Sequence, residues 1–331
     1  MSRFEYARPE TETEALVLLN DYPGESMILA GGTDALNLIK QEIVQPRRVV
    51  DIKRVRGLND IEENPGGLLI GAAVTLETVR NHPAFTSYLS VERIINNIHS
   101  GAIRSMGTLV GDLCHHPNCW YYRNAHGLLA RDERDSLPVM GRSRYHAILG
   151  NEGPAKYVSA SRLAPALIAM GAKIRIVGPH LQQETWLPVK KFYRVPNIAT
   201  QGTTILEPGQ LITHLWLPRL SSNLQLASYE VLPSAGLDWP SVAASVAVEY
   251  AGDIVSHACV VLGHVAPAPW IAREAESILI GRAMTDVTAL LAAEAASADA
   301  NPLPENRYKV QQCKAAVKRA LLQTTKASEL T

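Results

Sequence analysis

The stretch LAGGTDALNLIK at residues 29–40 places the strongest constraint on how this chain folds. An apolar run, MILA at residues 27–30, gives way to two glycines and a threonine, and helix-forming residues follow at once. A strand, a tight turn and a helix start bring several backbone N–H groups together at the positive end of a helix, where a phosphate or diphosphate is stabilised. The other interpretation is that Gly31 and Gly32 only make a sharp connection, because short glycine motifs are common.

A second glycine region lies at residues 104–114, RSMGTLVGDLC. It follows a helical pattern in which Val91, Ile94, Ile95 and Ile98 share one apolar face. The region could supply a second backbone wall for the same anion, or it could be an ordinary glycine-rich loop. The two glycine regions together are more informative than either one alone.

The composition is that of a soluble globular protein without an electrostatic preference for an anionic partner. Of 331 residues, 47% are hydrophobic and 19% are charged, with Lys+Arg and Asp+Glu both at 32, which argues against a nucleic-acid ligand. Residues 1–22 carry acidic groups where a signal peptide needs a positive start, and no apolar stretch reaches the ~18 residues of a membrane helix. We therefore expect a cytoplasmic protein with no membrane span, whose four cysteines are reduced.

The order of apolar segments indicates two domains, as the length also suggests. Strand and helix patterns alternate through the first two-thirds of the chain, at residues 48–52 (strand), 67–72 (strand), 163–170 (helix) and 173–177 (strand). The polar residues 221–223 are typical of a linker. The patterns beyond this linker predict an α+β unit, with strands at 241–248 and 257–262 and helices at 271–280, 286–296 and 306–324.

Five motifs, in order along the chain, resemble the FAD-carrying medium subunit or domain of the molybdenum hydroxylases. This family includes xanthine dehydrogenase, carbon monoxide dehydrogenase and 4-hydroxybenzoyl-CoA reductase. The motifs are AGGTD at residues 30–34, RSMGTLVGDLC at 104–114, LAPALIAMGAKIRIVG at 163–178, GLDWPSVAASVAV at 236–248 and VVLGHVAPAPWIAREAESILIGRAMT at 260–285. Together they cover nearly the whole chain.

The resemblance implies an α+β protein with the FAD-binding fold of the vanillyl-alcohol-oxidase type. That fold has two α/β subdomains, and a C-terminal α+β domain like that of carbon monoxide dehydrogenase flavoprotein follows it. On this basis we place the FAD-binding domain at residues 1–220, with subdomains at 1–56 and 57–220 and an insert at 119–157. The C-terminal domain takes residues 221–331.

The resemblance also implies which residues contact FAD. The first loop would hold the pyrophosphate, the second would lie along the flavin and its phosphates, and Ile98 would be an apolar contact near the isoalloxazine ring. Arg162 stands where the family has an aspartate that contacts the ribityl chain, and it could offer the pyrophosphate a cationic contact instead. The implied residues are Leu29, Ala30, Gly31, Gly32, Thr33, Asp34 and Ala35 in the first loop, Thr108, Leu109, Val110, Gly111 and Asp112 in the second, and Ile98 and Arg162.

Three positions depart from the family pattern. Val110 places a branched side chain where the family usually has a glycine close to the cofactor. Arg162 replaces the aspartate, and the basic residue often found upstream of the motif aspartate, Asp238, is missing from YEVLPSAGLD at residues 229–238. These departures motivate an alternative function, that of a flavin-free structural subunit that kept the fold and the docking surface.

The segment CWYYR at residues 119–123 narrows the resemblance to the 4-hydroxybenzoyl-CoA reductase branch, whose inserted loop binds a [4Fe–4S] cluster through four cysteines. Here Cys119 is the only cysteine of the insert, and Cys259 and Cys313 lie in apolar segments. One thiolate cannot hold such a cluster, so we predict that none binds. His115 and His116 are interpreted as a loop feature and not as a metal site, since zinc needs at least three protein ligands.

By this resemblance the chain would be the flavoprotein subunit of an oxidoreductase heterotrimer, expected as a dimer of heterotrimers. A large molybdenum-cofactor subunit would hydroxylate the substrate, a small subunit with [2Fe–2S] clusters would carry electrons, and FAD would pass them to NAD, quinone or another external acceptor. We assign no acid, base or nucleophile. A reductase of another flavin class acting alone is a third interpretation, without an acid–base cluster to support it. The charge-rich loop at residues 124–144 would be solvated or would dock a partner subunit.

Overall fold

A computed structural model describes residues 2–132, 135–234 and 239–326 of the protein. Across these residues the chain forms three main sheets and a two-stranded ribbon, with helices packed on the sheets. Two of the sequence predictions concern positions outside the described residues. These are Asp238 of the GLDWP motif, and Glu133 and Arg134 of the charge-rich loop.

The N-terminal sheet is parallel, with the strand order β1-β3-β2. Its elements are β1 (Glu5–Ala7), α1 (Glu12–Asp21), β2 (Ser26–Leu29), α2 (Ala35–Lys40) and β3 (Arg48–Asp51). Thr11 caps α1 by accepting a hydrogen bond from the Glu14 amide at 3.1 Å. Strand β2 ends directly before the glycine turn and α2 begins directly after it, which is the order that the sequence predicts.

The central sheet is antiparallel, with the strand order β4-β5-β10-β8-β9. The elements of this part of the chain are β4 (Ile61–Asn64), β5 (Gly67–Gly71), α3 (Leu76–Asn81), α4 (Leu89–Asn96), α5 (Gly101–Met106), α6 (Leu109–Leu113), α7 (Trp120–Arg123), β6 (Arg131–Asp132), β7 (Asp135–Ser136), α8 (Leu137–Met140), α9 (Ala164–Ala169), β8 (Lys173–Val177), β9 (Glu184–Pro188) and β10 (Leu211–Pro218). Strands β6 and β7 form the ribbon. Single turns of 3₁₀ helix lie at Ile52–Arg54, Pro83–Ser87 and Val189–Lys191.

Helix α4 confirms the apolar face that its sequence pattern predicts. Val91, Ile94 and Ile95 are at most 1% exposed and belong to the main hydrophobic core. The helix ends at Asn96, so Ile98 lies in the turn beyond it rather than on the helix. That position brings Ile98 to the wall of the cavity described below.

The C-terminal sheet is an antiparallel meander with three helices, as predicted for an α+β unit. Its elements are β11 (Leu224–Val231), β12 (Val242–Ala251), β13 (Ile254–Gly263), β14 (Trp270–Ile271), α10 (Arg273–Leu279), α11 (Asp286–Ala295) and α12 (Tyr308–Lys326). The sequence reading missed β11, which pairs with β12 from Leu224 opposite Glu249 to Val231 opposite Val242. The strand mixes polar and apolar residues and contacts both α4 and α12, so it lacks the continuous apolar run that marks β12 and β13.

The central and C-terminal parts pack closely against each other. A Cβ added to Gly263, at the end of β13, would lie 2.8 Å from Cγ of Pro165 in α9. Only glycine lets the helix approach the strand this closely. The insert packs against the N-terminal part of the chain. Its residues Cys119, Tyr122 and Leu129 share a small buried cluster with Leu38 of α2.

Candidate functional site

A cavity of about 500 Å³ lies where the first glycine turn, the second glycine turn and the segment 206–212 meet. The structure places most of the residues that the resemblance implied on its wall. These are Ala30, Gly31, Gly32, Thr33, Asp34, Ala35, Ile98, Thr108, Val110, Gly111, Asp112 and Arg162. Leu29 and Leu109 do not line the cavity, because their side chains pack into hydrophobic cores and are 9% and 0% exposed.

The first glycine turn is packed directly against the second. A Cβ on Gly31 would lie 2.0 Å from the Met106 carbonyl oxygen, so this position requires glycine. Gly32 has φ +70°, in the left-handed region that favours glycine. Within the described residues, the amides of Gly31, Gly32, Thr33 and Asp34 donate to no backbone carbonyl. The turn therefore offers a row of free donors on the cavity wall.

The second glycine turn is held by its own threonine. The Thr108 hydroxyl accepts a hydrogen bond from the Gly111 amide at 3.0 Å and so caps α6. A Cβ on Gly111 would come within 2.7 Å of that hydroxyl oxygen. Val110 is 4% exposed and contacts the main core, and it also lines the cavity, so its branched side chain is part of the cavity wall.

Asp112 lines the cavity, but its carboxylate is occupied by the start of the next helix. Its Oδ2 accepts hydrogen bonds from the Ser161 hydroxyl at 2.5 Å and from the Leu163 amide at 2.9 Å, and Oδ1 accepts one from the Arg162 amide at 3.3 Å. This carboxylate fixes the loop that carries Arg162. Burial, together with the Asp112 charge, raises the pKa of the neighbouring Cys114 thiol to about 12, so this thiol stays protonated.

Arg162 forms a buried ion pair with Glu230 of β11. The Nε–Oε1 distance is 2.9 Å and the Nη2–Oε2 distance is 2.6 Å, and the two side chains are 5% and 2% exposed. Asn97 donates a further hydrogen bond to Glu230 Oε2 at 2.9 Å. The cationic contact to the pyrophosphate that the sequence suggested is therefore not available from these two nitrogens. Glu230 lies within the segment, residues 229–238, from which the family's basic residue is missing.

Sequence reasoning missed several residues of the cavity wall. The segment 206–212 lines one end, together with Ser26 and Met27 of β2, and His99 and Trp239 belong to the wall as well. The one signal for this segment is the Pro208–Gly209 turn, in which Gly209 has φ +81°. The Ser26 hydroxyl and the Trp239 indole N–H are buried without a hydrogen-bond partner in the described structure.

This donor set fits a dinucleotide with a diphosphate. Free main-chain amides at a turn before a helix suit the phosphate oxygens. The wall also supplies apolar side chains and the unpaired polar atoms of Ser26 and Trp239, which suit the rings and the hydroxyls of a nucleotide. The residues present are therefore compatible with FAD.

The described residues contain no group of three or more His, Cys, Asp or Glu side chains placed to hold a metal ion. His115 packs edge-on against Trp239, with 5.0 Å between ring centroids, and His116 stacks on Tyr122. Cys119 contacts the His146 ring nitrogen at 3.3 Å and is buried, which raises the pKa of its thiol. Cys259 lies on β13 and Cys313 is buried in the C-terminal core, far along the chain from the insert.

Two glycine turns packed against each other beside a cavity of about 500 Å³ form a site suited to a nucleotide diphosphate, in a protein of α+β architecture. Residues 2–220 match the family model described as the FAD binding domain in molybdopterin dehydrogenase. Residues 227–324 match the CO dehydrogenase flavoprotein C-terminal domain. The chain belongs to this family of FAD-binding medium subunits of molybdenum hydroxylase complexes. Its cofactor is FAD, it is an oxidoreductase subunit, and the fold expected from the resemblance is confirmed.

Individual relatives are similar to this chain over nearly the full length of both proteins. The carbon monoxide dehydrogenase medium chain of Hydrogenophaga pseudoflava is 27% identical over 327 residues, covering 96% of each chain. The aldehyde oxidoreductase FAD-binding subunit of Escherichia coli (strain K12) is 28% identical over 315 residues, covering 94% of each chain. A solved structure of carbon monoxide dehydrogenase from Hydrogenophaga pseudoflava, in a form that lacks the Mo-pyranopterin moiety, matches with a TM-score of 0.76 at 25% identity, covering 98% of this chain and 97% of that one.

In the part of the chain that the structure describes, every helix is either too short or too polar to pass through a bilayer.

Proposed function

We propose that this subunit relays electrons through FAD bound in the cavity between the two glycine turns. When bound, FAD supplies the redox chemistry, taking electrons from the [2Fe–2S] clusters of a small partner subunit and passing them to an external acceptor such as NAD or a quinone. The observation that carries this proposal is the row of unpaired amides from Gly31 to Asp34 on the cavity wall. The protein needs no acid or base for such a relay, and its task is to bind and orient the cofactor.

We assign the residues of the wall to parts of the cofactor from their chemistry and from the family resemblance. The amides of the first turn and the Thr33 hydroxyl would hold the diphosphate, since they are donors beside a helix start. By the resemblance, the second turn, Thr108 to Asp112, would lie along the flavin and its phosphates, with Ile98 as an apolar contact near the isoalloxazine ring. The segment 206–212 and Ser26 lie on the same wall as β2 and would enclose the adenosine end. Leu29 and Leu109 would contribute main-chain atoms at most, because their side chains are in the cores.

The partners that we propose are a large molybdenum-cofactor subunit and a small [2Fe–2S] subunit, assembled as a dimer of heterotrimers in the cytoplasm. Support comes from relatives described as medium chains, a term that places them beside a larger and a smaller chain.

The alternative of a flavin-free docking subunit rested on three departures from the family pattern. One of them has lost its force as an objection, because the Arg162 charge is neutralised by Glu230, while Val110, although it lines the cavity, is only 4% exposed. The third departure is the basic residue missing from residues 229–238, the segment that contains Glu230. FAD binding is therefore the function that the site supports best.

The test is a visible spectrum of the chain purified together with its natural partners. We expect the absorption of bound flavin near ~450 nm, a property of the cofactor, and about one FAD released per chain on denaturation. A well-folded preparation that is colourless, and that stays so after incubation with excess FAD, would contradict the proposal. Reduction of the bound flavin by the substrate of the complex, but not in the isolated chain, would support the relay.

A further inference from the structure

The carboxylate of Asp34, within the first glycine turn, is bound by Arg123 of the insert and by the loop just before the insert, and not by its own helix. Asp34 occupies the N-cap position of α2, yet its side chain makes no capping hydrogen bond there. Its Oδ1 lies 2.6 Å from Nη1 of Arg123, and its Oδ2 accepts a hydrogen bond from the His116 amide at 3.2 Å. Burial favours the neutral acid, but the Arg123 hydrogen bond and the nearby positive charges outweigh this and lower the pKa of Asp34.

Arg123, at the end of α7, uses all of its guanidinium nitrogens in this contact region. Its Nε donates to the Pro117 carbonyl at 3.0 Å and its Nη2 donates to the His116 carbonyl at 3.0 Å, while Nη1 binds Asp34. The side chain is 16% exposed. A planar guanidinium held at three points is rigid, so it transmits a fixed geometry to the carboxylate.

Packing holds other residues of the insert against the loop that precedes it and against α2. The Tyr122 ring stacks on the His116 ring at 5.8 Å between centroids, and its hydroxyl contacts His116 Nδ1 at 2.8 Å. Tyr122 and Cys119 also pack against Leu38 of α2, in a cluster that includes Leu129. The insert thus contacts both the turn and the helix that follows it.

We propose that the insert, residues 119–157, is a brace for the diphosphate-binding turn, and that Arg123 is the positioning residue of this brace. The inference rests on the proposed binding of FAD in the cavity. An unpaired carboxylate within the turn would repel a diphosphate. Arg123 neutralises Asp34 and holds its carboxylate on the side of the insert, so that the charge opposes less strongly an anion bound at the amides from Gly31 to Asp34. An insert with one cysteine therefore has a structural task that needs no iron–sulfur cluster.

The test measures ligand binding to the full-length chain after removal of its flavin. The probes are FAD, ADP and adenosine, because ADP and adenosine differ only in the diphosphate. The variants are Arg123→Gln, which removes the charge, and Arg123→Lys, which keeps the charge but loses the planar guanidinium with its several hydrogen-bond donors. The matched control is Arg142→Gln, an exposed arginine of the same insert.

We expect Arg123→Gln to weaken FAD and ADP binding by about tenfold or more and to leave adenosine binding within about twofold of the wild type. The affinities of Arg123→Lys for FAD and ADP should lie between those of the wild type and those of Arg123→Gln. Arg142→Gln should bind all three probes like the wild type. Asp34→Asn combined with Arg123→Gln should cost less than the two single changes added together, because the residues act as a pair.

Equal weakening of ADP and adenosine would assign Arg123 a merely structural role and would overturn the proposal. Unchanged ADP binding in a folded Arg123→Gln chain would overturn it too. A wild-type chain that binds neither FAD nor ADP would instead refute the proposed site itself. If Arg123→Gln does not fold, the comparison of ADP with adenosine in Arg123→Lys decides the question in the same way.

Discussion

Arg162 and Glu230 join two parts of the molecule that are far apart in sequence. Arg162 precedes α9, which packs on the C-terminal sheet, and Glu230 lies on β11 of that sheet. Their two contacts, at 2.9 and 2.6 Å, are almost completely buried. The pair therefore acts as a joint between the FAD-binding part and the C-terminal part at one end of the cavity.

We expect removal of one partner of this joint to be strongly destabilising. Glu230→Ala leaves the Arg162 charge buried without a counter-ion, which costs on the order of 3–5 kcal/mol in the free energy of unfolding. Glu230→Gln keeps hydrogen-bond acceptors and should cost less. Equilibrium unfolding in urea measures both, with Glu63→Gln on the exposed edge strand β4 as the control. A loss below about 1 kcal/mol for Glu230→Ala would show that the pair is not a joint.

Gly31→Ala should impair both folding and FAD binding. The new methyl group would lie 2.0 Å from the Met106 carbonyl oxygen, so the two glycine turns must move apart. Such overpacking costs on the order of 1–3 kcal/mol, and the displaced amides should bind FAD more weakly. Thermal unfolding and FAD titration of the flavin-free chain measure the two effects. Gly101→Ala is the control, since the nearest atom to its Cβ is a flexible Arg104 nitrogen at 3.9 Å, and it should leave both unchanged.

Stability should fall as the pH decreases from about 6.5 toward 4. Burial, together with the Arg162 and Lys309 charges, lowers the pKa of His264 to about 3, and burial lowers that of His146 to about 4. In this range the unfolded chain binds protons at both histidines and the folded chain does not, so protonation favours unfolding. Each group contributes at most about 1.4 kcal/mol per pH unit.

His264→Asn tests this origin of the acid sensitivity. His264 has φ +62°, a conformation that asparagine tolerates better than most residues. We expect the variant to show a shallower decrease of the free energy of unfolding over the same pH range, measured by urea denaturation at several pH values. An unchanged slope would mean that other groups cause the decrease.

The four cysteines should react slowly with a thiol reagent in the native protein. Burial raises the pKa of Cys114, Cys259 and Cys313 to about 12 and also raises that of Cys119, so little thiolate forms at neutral pH. Rapid labelling of all four is expected only after unfolding. Fast reaction of one thiol in the folded chain would show that its local structure opens more readily than its burial indicates.

The sequence predicted the elements that depend on local patterns. The glycine turn before α2 and the apolar face of α4 both follow from short-range spacing. Contacts between distant segments could not be predicted this way. Nothing in the order of residues pairs Arg162 with Glu230 or Asp34 with Arg123, because these contacts depend on how separate sheets and the insert pack together.

The walls of the cavity come from the N-terminal turn, from the central part of the chain and, through Trp239, from the segment leading into β12. A nucleotide bound in the cavity would therefore contact all three of these parts of the chain at once. Cofactor binding and the mutual docking of these pieces are then linked equilibria, in which free FAD at 100 times its dissociation constant adds about 2.7 kcal/mol to the stability of the assembled state. Flavin loss would accordingly loosen the whole subunit, including surfaces remote from the flavin itself.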